Sequence, residues 1–242
     1  SKITVPLELD MTEIATYPTV AKPKKYYSNF NNTVLTPIII KNEYELNLFK
    51  SSHDVSEYYF QEFIEGRSFY LLYYFGKYGT ICKFSQENLA QQPNGKSMVV
   101  AISSDIHNSN ESCKYEELFK SLGYFGLVMV EVKERESKYY MIEANPRLWG
   151  PSQLFVDAGV NFFELFLFDL GIISKLPNIK EPSNITRYFW MGGVSETYKK
   201  NFKLTFYNID ENTFIDSLPT WIQSDIYMRD DTMKIFKKEV FS

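Results

Sequence analysis

Glu143, Asn145 and Arg147 stand two residues apart in Tyr139-Tyr140-Met141-Ile142-Glu143-Ala144-Asn145-Pro146-Arg147. A carboxylate, a carboxamide and a guanidinium so spaced are suited to holding charge. On an extended chain, residues i and i+2 point to one face. Glu143 and Asn145 therefore offer two hard oxygen ligands side by side, a donor set that suits Mg²⁺. Pro146 fixes the turn that presents Arg147, whose planar fork fits a phosphate bidentately. Upstream, Val128-Met129-Val130-Glu131-Val132-Lys133 is an apolar strand with one acid in it. A carboxylate there is costly to bury unless it is paired or binds a metal. An isolated acid at a strand end is usually just solvated. Two adjoining strands that both carry such groups favour a metal site built from Glu131, Glu143 and Asn145. Beside it, Arg147 would steady charge on a moving phosphoryl group.

Strands must bring these residues together. Tyr124 to Lys133 and Lys138 to Ala144 are predicted to pair as a hairpin through residues 134–137. Phe69 to Phe75 and Thr80 to Phe84 form a second hairpin around Gly76-Lys77-Tyr78-Gly79. Further strands are predicted over Tyr17 to Pro23, Thr33 to Ile40, Glu57 to Ile64 and Met98 to Ile102. Helices are predicted over Asn42 to Ser51, with Asn42 as N-cap and Glu45 at N3, and over Glu111 to Leu122. Two more run over Ser152 to Ala158 and Phe162 to Leu170, each followed by glycine. Gln86 to Lys96 reads as a polar loop. Strands punctuated by single helices point to an α+β protein with antiparallel sheets. No G-x-G-x-x-G and no G-x-x-x-x-G-K-[ST] occurs, so neither a Rossmann site nor a P-loop is signalled.

Composition sets the outer limits. At 242 residues and 44% hydrophobic, the chain is long enough for a substantial core in one large unit or two lobes. With 18 Tyr and 20 Phe, aromatic packing should dominate that core. The net charge of -4, with no long basic run, argues against nucleic acid as a partner. Cys82 and Cys113 form no C-x-x-C, so a disulfide framework is not expected and a reducing cytoplasm is the default. Two histidines, His53 and His107, argue against a histidine-rich zinc site. The apolar run from Val160 to Leu170 is too short and interrupted to span a bilayer, so no membrane partner is expected. The chain opens on Ser-Lys, not Met, which points to a start inside a longer protein or to a removed tag.

The two strands with Glu131 and Glu143-x-Asn145-Pro146-Arg147 resemble the metal-binding core of the ATP-grasp superfamily, in its carbamoyl-phosphate-synthase-like and carboxylate–amine ligase branches. The resemblance runs from about Tyr17 to about Leu170. It implies a small lobe over residues 1–60, a large lobe with the metal site over 61–175, and a C-terminal extension over 176–242 packed on the large lobe. Mg-ATP would bind between the two lobes, with Mn²⁺ as an alternative ion. Glu131, Glu143 and Asn145 match the family's metal ligands. Lys22, in Val20-Ala21-Lys22-Pro23, matches a lysine that contacts the α and β phosphates. Gln61-Glu62-Phe63-Ile64-Glu65-Gly66 resembles the hinge whose backbone reads the adenine edge. Gln61, Glu62, Phe63 and Ile64 would line the nucleotide there, with Met129 and Ile142 among the apolar side chains around the ring.

The resemblance also implies an activity. A carboxylate would be activated as an acyl phosphate for attack by an amine or thiol, both small molecules. An inactive nucleotide- or partner-binding module is the alternative. The family's N-terminal domain has no counterpart in this sequence, so a homodimer, or a partner that supplies that domain, is expected. Where relatives carry a glycine-rich phosphate loop, this chain has Lys24-Lys25-Tyr26-Tyr27-Ser28-Asn29-Phe30-Asn31-Asn32. Lys24 and Lys25 would offer charge in its place. Of residues 176–242, Arg187 and Arg229 would serve an anionic substrate or, as the favoured alternative, pair with Asp225, Asp230 or Asp231 on a small extra subdomain.

Overall fold

The computed structural model describes residues 2–14, 16–29, 32–179, 185–232, 234–235 and 237–238. The chain divides into two compact units, Thr4–Glu65 and Gly66–Ser242 together with Ser1–Ile3.

The small unit holds strands β1 (Glu8–Leu9), β2 (Thr19–Pro23) and β3 (Ile38–Ile40), helix α1 (Glu43–Ser52) and strand β4 (Tyr58–Glu62). Its antiparallel sheet runs β1-β4-β2-β3. Helix α1 starts where its cap dictates. The Asn42 side chain accepts the Glu45 N–H at 2.9 Å, and Glu45 Oε2 accepts the Lys41 N–H at 2.8 Å. Leu46 and Phe49 of α1 then close over Ala21, Ile40, Tyr58 and Phe60. Alternation along β2 turns Thr19 and Ala21 into this core. Val20 and Lys22 face the other way, with their register partners Gln61 and Tyr59.

The glycine-free stretch after Pro23 is tied down within the small unit. Lys25 Nζ lies 2.8 Å from the buried Glu57 carboxylate, which also accepts the Asn29 N–H at 2.7 Å. Lys24 donates its backbone N–H to the Glu57 carbonyl at 2.8 Å and its ammonium to the Ser56 carbonyl at 3.1 Å. Both lysines expected to offer charge to a phosphate are thus engaged locally. Phe30 and Asn31 of this stretch lie outside the described residues.

The large unit begins with β5 (Arg67–Phe75), β6 (Ile81–Gln91), β7 (Met98–Ser104), α2 (Asn110–Ser121), β8 (Gly126–Arg135) and β9 (Lys138–Asn145). There follow α3 (Ser152–Asp157), α4 (Phe162–Asp169), β10 (Arg187–Phe189), α5 (Met191–Lys199), β11 (Thr205–Phe206), α6 (Glu211–Asp216) and α7 (Leu218–Ile222). The antiparallel sheet runs β10-β7-β6-β5-β8-β9, and β11 pairs with β6. Strand β5 sits inside and is buried on both faces beyond Arg67, which explains its unbroken apolar run. Phe69, Leu71, Tyr73, Val128, Val130 and Val132 meet Tyr115 and Phe119 of α2 on one face. Leu72, Tyr74, Phe84 and Met129 meet Leu154 and Phe155 of α3 and Phe162 and Leu165 of α4 on the other.

One expectation is corrected. Gln86 to Lys96 is not a loop: β6 runs through it to Gln91 before a turn at Pro93–Gly95. The polar side chains are tolerated in a buried strand because they bond one another. Gln86 Nε2 donates to Asn88 Oδ1 at 2.7 Å, and Asn88 Nδ2 to Ser68 Oγ at 3.0 Å. Arg67 clamps Glu87 with two bonds of 2.9 Å. Strands from beyond Leu176 join the large sheet. β10 lies beside β7 and β11 beside β6, and Phe189, Phe214 and Trp221 share a core with Val99 and Val100. Arg229 pairs with Asp157 and, at 3.5 Å, with Asp231. Arg187 lies 6.0 Å from the Trp221 ring. Cys82 is buried and Cys113 exposed, and neither forms a disulfide. No helix among the described residues is long and apolar enough to cross a membrane.

Two outcomes are expected. The Lys25 ammonium and then the Ser28 hydroxyl hold the Glu57 carboxyl down at about 2, below its usual 4.5. The folded state therefore releases this proton more readily than the unfolded chain. The stability it confers is present above about pH 4.5 and is lost as pH falls towards about 2. Glu57→Gln should flatten that part of the acid-unfolding curve, read by circular dichroism from pH 6 downward. Gly66 has φ +149°, and a Cβ there would come within 1.9 Å of the Glu134 carbonyl oxygen. Gly66→Ala should lower stability by about 2 kcal/mol or more in denaturant titrations.

Candidate functional site

Strands β8 and β9 leave the hairpin in simple register: Arg135 faces Lys138, Glu134 faces Tyr139, Lys133 faces Tyr140 and Val132 faces Met141. Continued unbroken, that register would set Glu143 opposite Val130, on the face covered by α2. A bulge intervenes between Glu131 and Val132, with Ile142 as the extra residue. Beyond it Glu131 faces Glu143, Val130 faces Ala144 and Met129 faces Asn145. One inserted residue thus moves Glu143 to the face that carries Glu131, and Asn145 follows by alternation.

Three proposed metal ligands therefore share one face of the hairpin. Directly opposed residues on such a pair have Cβ atoms roughly 5 Å apart. Glu131 and Asn145 are half-buried and Glu143 is exposed. Asn145 Nδ2 donates to Glu143 Oε1 at 2.5 Å, and the carboxamide Oδ1 is the atom a hard cation would take. No group of three or more His, Cys, Asp or Glu placed to hold a metal occurs among the described residues. A set of two acids and one amide is compatible with that, and it leaves coordination positions for phosphate oxygens, as Mg²⁺ usually requires. Arg147 is exposed, with Nη1 donating to the Leu148 carbonyl at 3.1 Å. Tyr70, opposite Glu131 on β5, marks the centre of the cluster. Burial pushes its hydroxyl pKa well up, Glu131, Tyr207 and Glu143 add to the rise, and Arg147 opposes it.

The remaining expected residues are distributed as follows. Met129 is 3% exposed, in the apolar cluster that includes Trp149 and Leu154. Ile142 is the bulge residue and half-buried. Lys22, Gln61, Glu62, Phe63 and Ile64 belong to the small unit. There Lys22 is half-buried, Ile64 is buried, and Glu62 Oε1 accepts the Leu7 N–H at 3.0 Å. Gln61 Oε1 is buried with no hydrogen-bond partner among the described residues.

A polar row on the face that carries Glu131 escapes a motif search. The polar row Gln86–Asn88–Ser68 lies on the same face of the sheet as Glu131, because Gln86 pairs with Tyr70 and Asn88 with Ser68. Lys133, opposite Ser68, extends it; it is 7% exposed, with Nζ 3.5 Å from the centre of the Tyr207 ring. Burial pulls the Lys133 ammonium down to about 8, and the Glu131 carboxylate opposes the fall. Tyr207 follows β11, and its hydroxyl donates to Gln91 Oε1 at 2.7 Å. Asn208 donates to Glu87 Oε1 at 3.0 Å. Only the polar composition of β6 hinted at this row in the sequence.

No protein-family model matches the chain. No curated protein matches it either. Solved structures do. N5-carboxyaminoimidazole ribonucleotide synthetase from Thermus thermophilus superposes with TM-score 0.63 at 13% identity, over 93% of this chain and 69% of that one. N5-carboxyaminoimidazole synthetase from Staphylococcus aureus, complexed with ADP, gives 0.58 at 16% identity, over 93% and 68%. Biotin carboxylase from Campylobacter jejuni, as a beta-gamma-ATP complex, gives 0.53 at 17% identity, over 74% and 45%. The chain thus spans about two thirds of each synthetase and under half of the carboxylase. These likenesses show the fold: the chain has the α+β ATP-grasp fold, with two antiparallel sheets.

The facing acids make a stability test. Like charges directly opposite on a sheet destabilise it by roughly 0.2–1 kcal/mol. Without metal, Glu143→Gln should therefore raise stability by about that amount in urea titrations, because it keeps the acceptor for Asn145 and removes the repulsion. A loss of stability would mean that Glu143 is held by an attractive partner instead.

Proposed function

We propose that this chain binds Mg-ATP and works as an ATP-grasp carboxylate–amine (or thiol) ligase. The observation that carries the reading is the bulge-set register that puts Glu131 opposite Glu143, with Asn145 two residues on. Two carboxylates opposite each other, with an amide oxygen two residues on, match the hard oxygen donors that Mg²⁺ takes beside phosphate. Glu131, Glu143 and Asn145 would hold Mg²⁺, or Mn²⁺ in its place. The bound ion would neutralise charge on the nucleotide phosphates. Arg147, exposed beyond Asn145, would grip the γ-phosphate through its fork. Lys22 would contact the α and β phosphates, and the backbone of Gln61 to Ile64 would read the base.

The reaction that fits this donor set needs no nucleophile from the protein. An oxygen of the substrate carboxylate attacks the γ-phosphorus, and the bond to the ADP oxygen breaks. An amine or thiol then attacks the acyl carbon, phosphate leaves with the bonding pair, and the nucleophile gives up its proton. Positioning and charge neutralisation supply the rate. The solved synthetase with ADP and the carboxylase nucleotide complex support the nucleotide part of this reading through their shared fold.

A second reading has its own support. The stretch from Lys24 to Asn29, where relatives carry a glycine-rich phosphate loop, is pinned to Glu57 and Ser56. That favours a module that binds nucleotide, or a partner, without turnover. Phosphate release with a panel of carboxylates and amines separates the two.

Titration calorimetry of ATP with and without Mg²⁺ tests the shared premise. Binding should require Mg²⁺, and Glu143→Ala should abolish that dependence. Arg147→Ala should weaken ATP by about tenfold or more, with a smaller effect on ADP. Equal losses for both nucleotides would remove Arg147 from the γ-phosphate.

A further inference from the structure

We infer that a polar cavity on the helix side of the small sheet binds a small primary ammonium ion. The inference stands independently of the Mg-nucleotide reading. The cavity has a volume of about 110 Å³. Thr36, Ser52, His53, Asp54, Glu57 and Tyr58 line it, with residues 28 and 33–35 completing the wall. It has room for roughly three or four waters, or for a ligand of a few heavy atoms. All of these residues belong to the small unit. Tyr58 packs with Phe60 and Phe49 in the core under α1, whereas Tyr59 and its register partner Lys22 face the other way. The cavity is therefore separate from the phosphate contact proposed for Lys22.

The first support is an unused hydroxyl. Tyr58 is 3% exposed, yet its O–H makes no hydrogen bond among the described residues. A buried polar group of this kind calls for a partner, and the cavity it lines is where one can sit. Burial, and then the Glu57 carboxylate, raise the Tyr58 pKa. The second support is charge. No lysine or arginine is among the lining residues. Lys25, Ser28 and the Asn29 N–H already satisfy Glu57. Lys24 is bonded to the Ser56 carbonyl at 3.1 Å and lines no part of the cavity. Asp54 uses Oδ1 for the Ser56 N–H at 2.9 Å and the Ser56 hydroxyl at 2.7 Å, and Oδ2 makes no bond among the described residues. Helix α1 also ends here, at Ser52 and His53, and the negative end of its dipole favours a cation. An ammonium would give N–H groups to Asp54 Oδ2 and to the Tyr58 oxygen. The Thr36 hydroxyl suits a polar group on a short stem.

The experiment titrates ethanolamine, protonated at neutral pH, into the whole chain at fixed ionic strength, by calorimetry and by thermal melting. A dissociation constant in the millimolar range is expected for so small a ligand, with a matching rise in melting temperature. Tetramethylammonium carries the same charge without N–H donors and should bind about tenfold more weakly or less. Asp54→Asn keeps the oxygen that caps the turn and removes the charge. Tyr58→Phe keeps the ring and removes the hydroxyl. Each should weaken ethanolamine by about fivefold or more. If Tyr58→Phe fails to fold, Asp54→Asn decides alone. Absence of both heat and melting shift would leave the cavity to water and overturn the site. Equal affinity for tetramethylammonium would reduce the effect to charge, and unchanged affinity in the variants would place the binding elsewhere. Either result overturns the site as well.

Discussion

One extra residue in β9 decides which face of the large sheet carries Glu143 and Asn145. Without Ile142 as a bulge, the hairpin would keep a single register, and Glu143 would point at the valines beneath α2. An acid there would be buried without a partner and would cost several kcal/mol. With the bulge, the hairpin serves two demands at once. Its turn half keeps Tyr139 and Met141 on the α2 face, and its open half turns Glu143 and Asn145 to the opposite side. The sheet around it makes that geometry stiff. β5 pairs with β8 from Arg67 to Phe75, and both faces of β5 are packed, so Glu131 has little freedom to drift from its partner.

How much of this could be read in advance depended on where each residue finds its partner. The cap of α1 and the hairpin of β8 and β9 rest on neighbours close in sequence, and both were legible. So was the pairing of Glu143 with Asn145, since it needs only strand alternation. The bulge was not, because it is defined by a second strand. The β6 row was misread for a related reason. Gln86, Glu87 and Asn88 look like loop residues when only water is available as a partner. Ser68 and Arg67, some twenty positions away, supply the bonds that let them stay in a strand. Tyr207 was invisible for the same cause, at a still greater separation.

The two units treat their lysines in contrasting ways. In the small unit Lys25 is neutralised by Glu57, and the surrounding stretch gains order from it. In the large unit Lys133 is desolvated against an aromatic ring, with Glu131 close enough to matter. The first arrangement stabilises the chain itself and removes two charges from service. The second holds an ammonium out of water, with burial pulling its pKa down and Glu131 opposing the fall. Functional sites are where a fold tolerates that kind of cost.

The sheet order has a consequence for how the molecule is assembled. β5–β6, β6–β7 and β8–β9 are joined by near neighbours in the chain, β5 and β8 pair across β6, β7 and α2, and β10 and β11 come from farther along and close the longest loops. The wall over Lys133 belongs to this last group. A partly folded chain with only the earlier strands in place keeps that ammonium in water, where its charge costs nothing. Dehydration of the lysine therefore falls on the docking of the final strands.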